Sequence, residues 1–382
     1  MNQELTYWVA LAHTPKIWTS RKNEIIAHCF QQGKNIIDFF SSNHYLGMEL
    51  TQQEVELLKR TQGELANYAF MVEELLNQGY EIIPVTSKDY SPTLKSNLKY
   101  NSPIVLYTKG NKQILQETSI AIVGSRNANE NALTFTDNVA KKASSEYKVV
   151  VSGFAKGVDK QALDSALAYE GQSIIVLPQG ITTFTSNIKK YYKQVIGGNV
   201  LVLSTFHPKL PWSVDLAMAR NSIIYGLASE IYAAQSDDKG GTWSGVTEGL
   251  KKGRKVFVRV PEKREKCANQ TLIAMGATPV DIEGNPITET SCANLEENTR
   301  LDNLFSQTSA NDNIEGKIYD LLSKGPYSSK QIIAELDLSD FSVQKMTGLL
   351  SRMKNISKIK EGKSTRYFLS STKCSTQLSL VL

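Results

Sequence analysis

Two glycine-containing loops carry the side chains best suited to binding an anion. The first is Gly124-Ser125-Arg126, and the second is Ser152–Asp159, which holds Lys156 between Gly153 and Gly157. Glycine lets backbone N–H groups approach an anion, while arginine offers phosphate a planar fork and lysine offers a point charge. We therefore expect both loops to bind phosphate. The alternative for each is a packing turn with a solvated cation.

Two further segments have the same character. Arg220-Asn221 is expected at the start of a helix, where asparagine is an ordinary cap but the helix dipole disfavours arginine. Gly240-Gly241-Thr242 follows an apolar run and leads into another helix, so it suits either a phosphate or a structural turn. None of the four segments matches the Walker A pattern or the GxGxxG dinucleotide fingerprint.

Groups for acid–base catalysis are sparse. The four histidines lie outside these loops, and the sequence has neither an HExxH nor a GxSxG motif. Asp159 and Glu248 are the nearest carboxylates, and helix capping or solvent exposure accounts for both. The four cysteines form no CxxC pair, which argues against a zinc site and a disulfide scaffold. We expect no catalytic residue, no metal and no cofactor.

The elements that position these loops are short apolar runs separated by helical stretches. This alternation predicts βαβ units and a doubly wound, Rossmann-like parallel sheet, an α/β fold, over residues 111–285. Ligands of such sheets bind beyond the carboxyl ends of the strands, which is where the four segments fall. The runs begin at Ile120, Val149, Ile174, Val200, Ile231 and Val256.

Three regions flank this sheet. Residues 1–110 have helical apolar spacing and predict a helical, SAM-like N-terminal domain, with two short strand candidates near its end. Residues 286–312 predict an acidic linker, since 288–312 hold five acidic residues and one basic residue. Residues 313–370 predict three helices and a hairpin, a winged helix, in which Ser328-Ser-Lys-Gln331 fits a capping box and Ser339 or Asp340 caps the third helix. Residues 371–382 read as a disordered tail.

Composition bounds the class of protein. The 382 residues include 41% hydrophobic and 21% charged residues, and the net charge is +5, which is ordinary globular usage. The N-terminal apolar stretch is too short for a signal peptide, and no apolar run reaches the roughly 18 residues of a membrane span. We expect a cytoplasmic protein.

The order and spacing of these motifs resemble one family. The chain is identified as a member of the DNA-processing protein DprA (Smf) family, in a diverged form. The segments that carry the resemblance are Tyr90–Leu94, Pro103–Asn111, Ile120–Arg126, Ser152–Asp159, Ala219–Leu227, Gly240–Gly253 and Asn269–Ala277.

The resemblance implies a cytoplasmic homodimer that binds single-stranded DNA. Such a protein protects incoming DNA and helps to load the RecA recombinase in natural transformation, and it is not mainly an enzyme. By motif position, Ser125 and Arg126 would contact the backbone phosphate, and Lys156, Arg220 and Asn221 would line the same groove.

This chain departs from the family pattern at four places, one of which is Pro261-Glu262 in place of a proline-glycine after the last strand. The other three bear on DNA contact. The family's Arg-Asn-Arg is Arg220-Asn221-Ser222 here, which removes one positive charge. A phenylalanine-proline pair is replaced by Ala217-Met218, so Trp212 becomes the candidate for base stacking. The tyrosine-proline after the third strand is absent, and Lys189 and Lys190 are further candidates for DNA contact.

Other functions remain open at this stage. Gly240–Glu248 loosely resembles the glycine-rich loop of nucleotide hydrolases of the lysine-decarboxylase-like fold, which use a glutamate. A sensor of nucleotides or foreign DNA in defence is a third hypothesis. The predicted winged helix suits either duplex DNA or a protein partner. The full chain of motifs favours the single-stranded DNA binder.

Overall fold

The computed structural model describes residues 2–42, 44–185, 188–262, 265–287, 316–338, 342–351, 353, 356–361 and 364–369. The chain divides into two compact units, Met1–Thr288 and Glu289–Leu382. Apart from residues 286 and 287, the predicted linker lies outside the described residues, as does the predicted tail. Among the helices of the described ranges, none combines the length and apolar character that crossing a membrane requires.

The N-terminal region is helical, as predicted. Its helices are α1 (Asn2–His13), α2 (Thr19–Gln31), α3 (Ile36–Ser41), α4 (Gln52–Gly63) and α5 (Leu65–Asn77). Asparagine and threonine capping boxes begin α3 and α4, which satisfies their first backbone N–H groups. The apolar faces meet in a core that includes Leu11, Ile25, Phe39, Leu58 and Leu75.

A nine-stranded sheet forms the centre of the first unit. Its strands are β1 (Glu81–Pro84), β2 (Val105–Gly110), β3 (Ser119–Gly124), β4 (Val149–Ser152), β5 (Ser173–Val176), β6 (Val200–Ser204), β7 (Glu230–Gln235), β8 (Lys255–Arg259) and β9 (Thr278–Val280). The order is β1-β2-β6-β5-β4-β3-β7-β8-β9, and all neighbours from β6 to β9 are parallel. The predicted doubly wound α/β fold is confirmed.

The two antiparallel strands at one edge come from the N-terminal region. β1 pairs with β2, and β2 pairs with β6. The strand candidates before residue 111 therefore extend the same sheet that the central domain builds.

Helices cover both faces of the sheet because its strands are apolar on both sides. They are α6 (Pro92–Leu98), α7 (Glu130–Ser145), α8 (Val158–Ala168), α9 (Tyr192–Ile196), α10 (Val214–Leu227), α11 (Gly241–Lys251) and α12 (Asn269–Ala274). Along β3, Ile120 and Ile122 join the cluster of α7 and α8, while Ala121 and Val123 join the cluster of α10.

The chain reverses its direction of travel across the sheet between β3 and β7. From β3 it proceeds through β4 and β5 to β6, and then returns to place β7 on the other side of β3. The carboxyl ends of β3 and β7 therefore border a topological switch point, where open α/β sheets form a crevice for ligands.

The second unit contains the elements predicted for residues 313–370. A helix over 316–323 (α13) precedes β10 (Tyr327–Ser328), α14 (Ser329–Glu335), α15 (Val343–Leu350), β11 (Ile356–Glu361) and β12 (Ser364–Leu369). The strands pair in the order β10-β12-β11. The Ser328 capping box is confirmed, whereas Ser339 and Asp340 lie outside the described residues. The winged-helix assignment agrees with this element order and stays a prediction.

Candidate nucleic-acid interface

A cavity of about 390 Å³ opens at the switch point, and we call it the switch-point cavity. The loops after β3 and β7 line it together with α10. All four predicted segments therefore meet at one place. Their residues in the lining are Gly124, Ser125, Arg126, Ala155, Asp159, Arg220, Asn221, Gly240, Gly241 and Thr242.

The loop after β3 is fixed by the last residue of β7. The Ser125 N–H donates to the Gln235 carbonyl oxygen at 2.9 Å, and the Asn129 N–H donates to Gln235 Oε1 at 2.9 Å. The Arg126 side chain remains exposed. Sequence reasoning did not identify Gln235, because its role depends on the pairing of β7 with β3.

Gly157 lets the second loop touch the first. Its φ is +85°, and a Cβ there would overlap the carbonyl groups of Ser125 and Arg126. Only glycine adopts this positive φ and allows this close approach without a large energetic cost. Lys156 beside it is exposed, but it lines a separate groove between α7 and α8, which Arg126 also lines. We call this the α7–α8 groove.

Phe154 holds the second loop in an unusual conformation. Its φ of +60° is in the left-handed region, which costs a residue with a side chain about 1–2 kcal/mol. Its ring packs edge-on against Phe184 and Tyr191, with centroids 5.3 and 5.6 Å away. These contacts offset the strain and orient the backbone that leads to Lys156.

The prediction that Arg220 and Asn221 open a helix is wrong. α10 begins at Val214, because the Ser213 hydroxyl accepts the N–H of Leu216 and caps the helix there. Arg220 and Asn221 therefore lie in the middle of α10. This position frees Arg220 from the unfavourable end of the helix dipole.

Arg220 is a buried wall of the switch-point cavity, with 4% of its surface exposed. Nη1 donates to the Val176 carbonyl at 3.2 Å, and Nε has no hydrogen-bond partner among the described residues. Burial lowers the pKa of Arg220, and the nearby Asp159 carboxylate opposes that shift. A Cβ on Gly153 would overlap both Arg220 Nη1 and Asp159 Oδ2. Gly153 therefore makes room for these side chains.

Asp159 is the carboxylate of this wall. Burial raises its pKa, while Arg220 and the backbone N–H groups of Ala155 and Gly153 oppose the rise. Its acceptance of two loop N–H groups explains why a carboxylate stands at this turn. These N–H groups belong to the loop, and α8 has Gly157 as its N-cap with no side-chain cap, so Asp159 does not have the expected capping role.

The third side of the cavity is the start of α11. Gly240 has φ +93° and provides no side-chain cap, and Gly240, Gly241 and Thr242 at this end of the helix line the cavity. A helix N-terminus of this kind favours an anion. Gly241 lies against the Asn221 amide, where any larger residue would collide.

The further DNA-contact candidates lie outside the switch-point cavity. Lys190 contacts Asp164, which lines the α7–α8 groove, and Lys189 beside it is exposed. Trp212 is 52% exposed just before α10. The exposed apolar side chains of Val214 and Met218, which the sequence reasoning missed, do line the cavity. Their apolar character beside a polar loop is a signal that was readable in the sequence.

Glu248 does not line the switch-point cavity. It borders a second cavity of about 370 Å³ next to α11, and its Oε1 lies 2.5 Å from Lys252 Nζ. Gly245, about one turn earlier in α11, lies against the Tyr225 ring. In the described ranges, no three His, Cys, Asp or Glu side chains cluster closely enough to hold a metal ion.

The fold and the site thus define an α/β protein with an arginine- and glycine-lined crevice at the switch point. The chain belongs to the DNA recombination-mediator protein A family, whose sequence model matches residues 81–290, more than half of the 382 residues.

Two curated relatives are similar over this region. The DNA processing protein DprA of Streptococcus pneumoniae is 33% identical over 159 residues, which are 41% of this chain and 56% of the relative. The protein of the same name from Bacillus subtilis is 30% identical over 182 residues, 47% of this chain and 60% of the relative. The chain therefore matches just over half of the length of each relative.

A solved structure supports the fold. The X-ray structure of DNA processing protein A from Streptococcus pneumoniae superposes with a TM-score of 0.57 at 23% identity. The superposition covers 72% of this chain and 94% of that chain.

Proposed function

We propose that this chain binds single-stranded DNA, protects it, and helps to load the RecA recombinase in DNA recombination and natural transformation. The observation that carries the proposal is Arg126, an exposed arginine at the switch point that lines both the switch-point cavity and the α7–α8 groove. A strand that follows both openings would pass its backbone over this guanidinium.

The chemistry of the crevice suits a phosphate backbone more than a particular base sequence. Its exposed cations are Arg126 and Lys239, and the start of α11, which has no side-chain cap, adds to them. Lys156 is an exposed cation of the neighbouring α7–α8 groove. Apolar side chains beside the cavity, Val214 and Met218, and the nearby Trp212 offer surfaces for unpaired bases. Cations that track a backbone with apolar surfaces for bases are typical of sequence-tolerant single-strand binding.

The test compares a single strand with a duplex of the same sequence at several salt concentrations. We expect preference for the single strand, and a fall of log affinity with log salt of about 0.7 for each phosphate contacted, because bound phosphates release counterions. Fluorescence anisotropy of a labelled oligonucleotide measures both. Binding that is insensitive to salt, or strongly dependent on sequence, would contradict the proposal.

The proposed partners extend what the family name implies. We propose RecA as a protein partner. We also propose a homodimer built by the central domain, because a strand bound in one crevice would meet the second crevice at a raised effective concentration. Both rest on the family resemblance. The names of the two curated relatives, DNA processing proteins, agree with a role on DNA.

We propose that the protein is not an enzyme. The nucleotide-hydrolase alternative needs a carboxylate at the phosphate loop, and Glu248 borders another cavity and pairs with Lys252. Defence sensing of DNA or nucleotides would use the same crevice and has no separate observation in its favour.

The domain division stays part of the proposal: 1–110 helical, 111–285 Rossmann-like, 286–312 linker, 313–370 winged helix and 371–382 tail, in a cytoplasmic protein. The winged helix would contact duplex DNA or a protein through its basic residues. Of these, Arg352, Lys354 and Lys363 lie outside the described residues.

A further inference from the structure

The α7–α8 groove has a cavity of about 550 Å³ beside the switch-point cavity. Arg126 and Asn127 line both openings, so the two are neighbours across one short stretch of loop. On the far side of Arg126, the groove is lined by Lys156 and Lys160. A strand leaving the switch-point cavity past Arg126 would therefore meet further cations.

One carboxylate, that of Asp164, lies between the ammonium groups of Lys160 and Lys190. Asp164 Oδ2 lies 2.9 Å from Lys160 Nζ and 3.3 Å from Lys190 Nζ. The Tyr191 hydroxyl donates to Asp164 Oδ1 at 2.6 Å. Two ammonium groups and a hydroxyl thus converge on a single anionic group at the surface.

We propose that Lys156, Lys160 and Lys190 form a second phosphate subsite for the strand, and that Asp164 acts as a built-in competing anion there. The inference rests on the proposed function. The ligand is a backbone phosphate of the nucleotides adjacent to the one held at Arg126. When the strand arrives, its phosphate replaces the Asp164 carboxylate as the partner of the lysines.

The exchange is energetically accessible because the pairs are exposed. The side chains of Lys160, Lys190 and Asp164 are 42%, 58% and 39% exposed, and surface ion pairs of this kind contribute little to stability. Partial burial alone would raise the pKa of Asp164, but the Tyr191 hydroxyl and the two lysines lower it. The carboxylate is therefore ionised at neutral pH and competes with phosphate.

Tyr191 connects this cluster to the loop that carries Lys156. Its ring packs edge-on against Phe154, the residue with φ +60° in that loop, while its hydroxyl bonds to Asp164. The ammonium group of Lys190 also lies over the Tyr191 ring, 4.9 Å from the centroid. One side chain thus connects the loop that carries Lys156 to the Asp164 carboxylate of α8, which preorganises the lysines for a shared anion.

The test uses Asp164→Asn in the full chain with oligothymidylates of about 4 and about 16 nucleotides. We expect the variant to bind the long strand about three- to tenfold more tightly at low salt, because the phosphate no longer has to displace a carboxylate. The log–log salt slope should also be steeper, because no released carboxylate is left to take up a cation. Affinity for the short strand should stay unchanged. Glu117→Gln is the matched control, since it removes the same charge from an exposed site beside the amino end of β3.

Lys160→Gln tests the subsite from the other side. It should lower the salt slope for the long strand by about 0.7, leave the short strand unaffected, and cancel the gain when combined with Asp164→Asn. Lys255→Gln, at the exposed amino end of β8, is its control. Thermal unfolding of each variant reports whether it is folded.

Two results would overturn the inference. One is an equal gain by Asp164→Asn and Glu117→Gln, which would indicate general electrostatics. The other is an unchanged long-strand slope in both Asp164→Asn and Lys160→Gln. A wild type that binds no single strand would instead overturn the proposed function itself.

Discussion

Two arginines at the same edge of the sheet have opposite surroundings. Arg126 is exposed in the loop after β3, where two openings meet. Arg220 is 4% exposed within α10, donates to the Val176 carbonyl and stands near the Asp159 carboxylate. Both line the switch-point cavity. One is therefore exposed to solvent, whereas the other is buried near a carboxylate inside the protein.

The contrast separates binding from positioning at one site. A solvated guanidinium can exchange water and counterions for phosphate with little cost to the fold. A buried guanidinium is already committed, and removing it leaves a carboxylate without its cation. Arg220 thus maintains the wall and the second loop, while Arg126 provides the proposed contact. Substitutions can separate the two roles.

The largest expected effect is on stability, from Arg220→Ala. The change removes the bond to Val176 and leaves Asp159 uncompensated, so we expect a loss of about 3 kcal/mol in the free energy of unfolding. For a unit of this size the melting temperature should fall by about 6–12 °C, measured by circular dichroism. Arg220→Lys, which keeps a cation, should lose less. An unchanged melting temperature with much weaker DNA binding would make Arg220 a direct ligand and erase the contrast.

Arg126→Ala should weaken DNA binding and leave stability unchanged, which is the reverse of the result expected for Arg220→Ala. The loss of a charge-assisted, bidentate contact of about 1.5–3 kcal/mol should weaken single-strand binding about tenfold to hundredfold. The melting temperature should not change, because the side chain is exposed. Lys156→Ala is the comparison variant: it should act in the same direction but less, since lysine has no fork. Anisotropy titrations measure both. Equal affinities for Arg126→Ala and wild type would place the strand elsewhere.

Glu248→Ala should have the smallest effect. It removes only an exposed pair with Lys252, so stability should change by about 0–1 kcal/mol. DNA affinity should stay the same or rise slightly with the loss of a negative charge. Incubation of wild type with nucleoside monophosphates should release no free base. Release by wild type that Glu248→Ala abolishes would establish the hydrolase instead of the binder.

Much of the architecture is readable in the sequence because it depends on local patterns. Six apolar runs became β3 to β8, since strands buried on both faces must be apolar at successive positions. The loops at Gly124-Ser125-Arg126 and Gly240-Gly241-Thr242 followed from their place after such strands. Their meeting at one crevice followed from the parallel arrangement, which puts all carboxyl ends on one edge.

The sequence alone left the roles of individual cations undecided. Lys156 and Arg220 were both predicted to line one groove. Lys156 lines the neighbouring groove, and Arg220 lines the switch-point cavity from a buried position. The start of α10 was also missed, because the apolar spacing of that segment does not reveal that Ser213 is the cap. Gln235 had no local signal, because its bonds join β7 to the loop after β3.

The difference between the features that the sequence predicted and those that it did not has one physical reason. Whether a strand or loop forms is decided by neighbours in sequence, through backbone hydrogen bonding and the period of apolar residues. Whether an arginine is exposed to a ligand or buried in the cavity wall depends on the residues of distant elements that pack against it. For Arg220 these are Val176 of β5, Asp159 of α8 and Gly153 after β4. Neighbouring residues therefore dictate where charge gathers along this chain, whereas contacts between distant elements decide which of those charges stays exposed for the proposed ligand.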